Sequence, residues 1–213
     1  MSDFWRNLPL SQREPADETS VSSDWRPRTA ATLLAFADLL ASLPADAWEL
    51  AGLQPAARRG TQRTVRETVE DLVWRLSASR LELLFPSPAP SGSPELLVTA
   101  LRSAASRRAA GEGRRGLGDL TAVVQHCYDV TLPLALPDPV DPVASGAVAL
   151  GRAAAAPAVL RSLLRGRTLA ASDAGWRIGT GPEIRGTAAE LVAWLGGRAV
   201  TPVFERRSGR GQA

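Results

Sequence analysis

This chain has one histidine, one cysteine and a small set of acids near them that could do acid–base, nucleophilic or metal chemistry. His126 precedes Asp129 by three residues, a spacing that puts both on one face of a helix, where the carboxylate could orient the imidazole as a general base. His126 is equally well read as an ordinary hydrogen-bonded histidine. Cys127 stands next to it, but consecutive helix residues point about 100° apart. It shares a stripe with Leu120, Val123 and Val124 instead, so it reads as a buried, inert thiol rather than half of a dyad. Asp71 and Arg75 are four apart, in the order that favours a helix-surface ion pair. Gly179-Thr180-Gly181 superficially suggests a phosphate loop, yet it lacks the full pattern and the chain has no lysine. A hairpin turn explains it better.

The elements that must position these groups follow from periodicity and punctuation. Leu33, Phe36, Ala37, Leu40 and Leu43 mark one face of a first helix starting near Thr29, and Pro44 closes it. Thr64 and Glu67 have the form of a capping box, which starts a second helix at Val65 with the stripe Val65, Val69, Leu72, Val73, Leu76 and Leu83. Ser93 and Pro94 suit the cap and first position of a third helix through about Ala110. Asp119 can cap a fourth, and an alanine-rich helical region over 143–165 breaks near Pro157. After Gly166 the pattern changes. Thr168 to Ser172 and Trp176 to Gly179 flank Asp173-Ala174-Gly175 as a two-strand hairpin. Thr187 and Glu190 repeat the capping box before a short helix, and a final strand falls within Ala199 to Phe204. The expected fold class is α+β: a disordered leader over 1–28, a helical bundle over 29–165, a small mixed α/β domain over 166–205 and a flexible tail over 206–213.

Composition narrows the partners. The chain has 213 residues and 45% hydrophobic content, enough for a real core without disulfides. All 25 basic residues are arginine, but 22 acids offset them to a net +3. Few aromatics interleave with the arginine clusters, so no nucleic-acid partner is expected. The apolar runs are too short to cross a bilayer, and no charged-then-apolar leader opens the chain. The expectation is therefore a cytoplasmic protein with no membrane partner.

Thr64-Val65-Arg66-Glu67, His126-Cys127-Tyr128-Asp129-Val130, Gly175-Trp176-Arg177-Ile178-Gly179, Gly186 to Leu191 and Gly197-Arg198 stand in an order and at separations that resemble the mycothiol-dependent maleylpyruvate isomerase family. The resemblance covers roughly residues 29 to 205. It implies a DinB-like helical bundle followed by a small mixed domain, with zinc held by two histidines and a glutamate to activate the thiol of mycothiol. A metal-bound thiol is deprotonated at neutral pH, which makes it a nucleophile. In this chain the family's pattern places Asp71 where one histidine belongs, His126 at the second, and Ala122 at the glutamate position. One ligand is kept, one is exchanged and one is lost. The resemblance implies a divergent member that keeps a pocket between bundle helices but has a degraded metal site, acting on a small molecule or low-molecular-weight thiol. His126 would then be base or ligand, Asp71 a ligand or orienting carboxylate, and Arg75 and Asp129 substrate contacts. The alternative is a non-catalytic small-ligand-binding or regulatory module on the same fold.

Overall fold

The computed structural model describes residues 24–53, 63–78 and 92–205. Most of the expected leader, the tail over 206–213 and Leu83 lie outside them. Seven helices and a four-stranded sheet make up the described part.

Four helices form the bundle: α1 (Arg26–Ala41), α2 (Val65–Ser77), α3 (Pro94–Ala109) and α4 (Leu117–Thr131). Packing pairs α1 with α3 and α4, and α2 with the same two, so α1 and α2 stand on a diagonal. A 3-10 helix, Ala45–Glu49, turns the chain after α1 and buries Trp48. Helix α1 starts three residues before Thr29 because Pro27 supplies a preset φ in its first turn. The capping box at Thr64 is formed in both directions: Glu67 N–H donates to Thr64 Oγ1 at 3.2 Å, and Thr64 N–H donates to Glu67 Oε2 at 2.9 Å. Ser93 caps α3 by accepting from Leu96 N–H at 3.4 Å.

Asp119 does not cap α4. Gly116 stands at that cap, and Asp119, inside the first turn, takes Arg108 of α3 in a buried ion pair at 2.8 Å. The pair costs desolvation but fastens α4 to α3 close to the loop that joins them.

Helices α5 (Pro142–Ala154) and α6 (Ala158–Leu164) follow, and α5 packs against α4. Asp141 caps α5 by accepting from the N–H groups of Val143 and Ala144. Strands β1 (Thr168–Ala171) and β2 (Arg177–Gly179) form the expected antiparallel hairpin, with Thr168 opposite Gly179. Strand β3 (Glu183–Gly186) then pairs parallel to β1, and β4 (Val203–Phe204) closes the order β2-β1-β3-β4. Between β3 and β4, α7 (Ala188–Leu195) starts on the second capping box, closed by Thr187 and Glu190. Helix α7 lies on α5 and α4, so the buried core runs without a break from the bundle through Val192 and Leu191 to Leu169 and Ile184. Trp176 belongs to this join: its indole N–H donates to Ser145 Oγ of α5 at 3.1 Å. The architecture is mixed α and β, mainly helical.

Candidate functional site: a histidine and a carboxylate between two helices

Helices α2 and α4 pack side by side, and their contact brings Asp71 to His126 across 55 positions of sequence. The capping box fixes where α2 begins. Val65, Val69, Leu72 and Leu76 then bury one side, which leaves Asp71 at the edge of the contact with α4. On α4, Val123, Val124 and Cys127 are fully buried, and His126 is 7% exposed.

Both ring nitrogens of His126 have partners. Nδ1 lies 2.7 Å from the Ala122 carbonyl oxygen one turn earlier, and Nε2 lies 2.9 Å from Asp71 Oδ2. A carbonyl oxygen can only accept, so Nδ1 carries a proton. Asp71 is ionised: burial pushes its carboxyl up, but hydrogen bonds from His126 and Arg75 outweigh this and hold it well below the usual carboxylate range. It too is an acceptor. The arrangement is therefore satisfied when both nitrogens carry protons, and no ring lone pair remains for a metal or a substrate proton.

Asp71 is the hub of a larger lock. Arg75 Nε donates to the same Oδ2 at 2.9 Å, and Arg63, just before the capping box, places Nη1 at 3.4 Å from it. Arg75 thus forms the helix-surface ion pair that its spacing predicts. Arg63 was not anticipated; its position one residue before the cap is the only sequence signal for it.

Asp129 does not orient His126. Its carboxylate takes Arg198, which follows α7, through Nε at 2.7 Å and Nη2 at 2.5 Å. This bidentate pair is largely buried and joins α4 to the end of α7. Cys127 is fully buried, as its stripe predicts, and burial pushes its thiol well above the ordinary value.

Next to the Arg198–Asp129 pair are polar atoms without partners. Among the described residues, the amide of Gln125, 3% exposed, has no partner for Nε2 or Oε1, and the buried Nε of Arg152 has none either. Burial pushes the Arg152 guanidinium below its ordinary value, and the charge of Arg198 adds to that effect. Gln125 touches the backbone of Gly196, whose carbonyl accepts from Arg198. Sequence spacing missed both residues, because the elements that surround them are far apart in the chain.

A zinc ion does not fit the groups present. Among the described residues, no three His, Cys, Asp or Glu side chains lie close enough together to hold a metal. Ala122 contributes only a backbone carbonyl that His126 already uses. Two side-chain donors, each engaged with the other, fall short of the three protein ligands that zinc sites require. Comparison with protein-family models, curated proteins and solved structures finds no match to this chain.

Proposed function

We propose that this chain is a divergent, DinB-like member of the mycothiol-dependent maleylpyruvate isomerase family, with an ion-pair lock in place of the metal centre. On this reading it binds a small molecule or low-molecular-weight thiol without turning over the family's reaction. One observation carries the proposal: Asp71 and His126, at two of the three positions where the resemblance puts metal ligands, hydrogen-bond to each other at 2.9 Å. The unpartnered atoms of Gln125 and Arg152 supply polar groups for a ligand at the junction of α4, α5 and α7.

Zinc titration of the purified protein and of a double variant, Asp71→His with Ala122→Glu, tests this reading. The His126 ring is already oriented for ligation, because Nδ1–H is held by a carbonyl and Nε2 points at position 71. The variant should bind zinc at least about tenfold more tightly than the parent, a difference of about 1.4 kcal/mol. Stoichiometric tight zinc in the parent would overturn the proposal. A second reading, a thiol-dependent enzyme, requires His126 to break its contact with Asp71 so that Nε2 is free to act as a base. Mycothiol-dependent isomerisation of maleylpyruvate that is abolished by His126→Gln would establish it.

A further inference from the structure

A trough between α5, α6 and the hairpin lies apart from the α2–α4 site and has its own chemistry. Helix α6 turns 116° from α5 and buries none of its residues. In the angle between them is a cavity of about 360 Å³, with Leu164, Leu169 and Ile178 against it and Arg161, Arg165 and Arg167 around it. A second hollow of about 390 Å³ shares Ile178 and continues along α5 past Trp176, Leu150 and Val143. Leu150 and Val143 are 56% and 53% exposed, so this second stretch is an open apolar surface.

Among the residues that line the two hollows, the charged ones are all at one end. No acid occurs between Asp141 and Asp173, a stretch that holds four arginines. Arg167 is pinned by a hydrogen bond to the Glu205 carbonyl oxygen at 3.2 Å and by the Phe204 ring at 5.7 Å. Neither Arg161 nor Arg165 forms an ion pair among the described residues. Three guanidinium groups around one cavity repel each other until an anion comes between them, and each offers paired donors to a carboxylate. A polyanion would need such groups along its whole path, whereas this path becomes apolar beyond Ile178. That polarity suits a molecule with one anionic end and an extended hydrocarbon body.

We propose that this trough binds a free long-chain carboxylate, its head among Arg161, Arg165 and Arg167 and its chain passing Ile178 along α5. The inference does not depend on the function proposed for the α2–α4 site. Calorimetry on the full chain with dodecanoate below its micelle concentration tests it, alongside octanoate, the neutral detergent dodecyl maltoside, and vesicles of mixed neutral and anionic phospholipid. Dodecanoate should bind and octanoate more weakly, by about two- to fourfold per methylene removed from the trough. Arg161→Gln with Arg165→Gln alters two exposed side chains, so folding should survive, while dodecanoate affinity falls about tenfold. Leu150→Glu should remove the advantage of the longer chain. The proposal is overturned if dodecanoate does not bind, if the arginine variant binds it unchanged, if dodecyl maltoside binds equally well, or if only the anionic vesicles bind.

Discussion

Replacing Asp71 tests the lock most directly, because His126, Arg63 and Arg75 all meet on one of its oxygens. The side chains of Arg63 and Arg75 are 44% and 48% exposed, and ion pairs in such solvated positions contribute only about 0.2–1 kcal/mol each. His126 differs: its side chain is 9% exposed, and its Nε2 would lose its acceptor. A hydrogen bond to a charged group contributes about 1.5–3 kcal/mol, so this contact to the Asp71 carboxylate dominates. Asp71→Ala should therefore cost about 2–3 kcal/mol at neutral pH, and Arg75→Ala no more than about 0.5 kcal/mol. Urea unfolding should show the first as a midpoint lowered by about 1 M and the second as almost no shift. A double-mutant cycle between Asp71 and His126 should give a coupling above about 1 kcal/mol. Because the folded-state carboxyl titrates below its unfolded value of about 3.9, its contribution is full above that pH and fades as acid protonates it. The difference between the parent and Asp71→Ala should accordingly begin to shrink below about pH 4 and close only as the folded-state carboxyl itself takes up a proton. Equal losses in Arg75→Ala and Asp71→Ala, or a coupling near zero, would refute the claim that the lock rests on His126.

Three other substitutions probe different parts of the fold. Gln125→Met replaces a buried amide that has no partners with an apolar chain of similar shape, and should raise stability by about 1–2 kcal/mol in urea unfolding. Arg108→Ala leaves Asp119, 6% exposed, with the longer contact to Arg114 at 3.8 Å, and should cost about 3–5 kcal/mol; Arg108→Met with Asp119→Leu should recover most of that. Gly181→Ala would put a Cβ 2.3 Å from the Gly166 carbonyl oxygen at a φ of +113°, so its thermal midpoint should fall sharply, whereas Gly118→Ala, in α4 with open space around it, should be neutral or slightly stabilising.

Local features were legible in the sequence because their physics is local. Each capping box needs only a hydroxyl and a carboxylate three residues apart, and both formed at Thr64 and Thr187. The hairpin at Asp173-Ala174-Gly175 needed only a residue free to adopt positive φ, and Gly175 sits at +69°. Strand β3 was not legible: Ile184 is its only large apolar residue, too little for an alternating pattern, and its parallel partner β1 lies across a turn and a hairpin. The candidate site divides in the same way. Asp71 with Arg75 is a local pair and was read from spacing, whereas Asp129 with Arg198 spans 69 residues. Asp129 was assigned to His126 because one helical face holds both, but the guanidinium arriving from α7 binds that carboxylate in two places.

On the ligand-binding reading proposed above, the distribution of satisfied and unsatisfied polar groups says where a ligand would act. At the α2–α4 contact both nitrogens of His126 and the shared oxygen of Asp71 are bonded, so nothing there gains from an added group. One helical turn on, α4 fastens itself to the end of α7 through Asp129 and Arg198. Beside them, among the described residues, Gln125 stays buried with an unused donor and an unused acceptor, and Arg152, close enough to feel the charge of Arg198, has a third unused polar atom, its Nε. Each such group costs about 1–3 kcal/mol, and an apolar side chain in place of Gln125 would remove that cost without disturbing either ion pair. A ligand that offers a donor and an acceptor to Gln125 and an anionic group to Arg152 would recover it on binding. Gln125→Met should therefore stabilise the protein and weaken its ligand together, a combination that a purely structural glutamine would not produce.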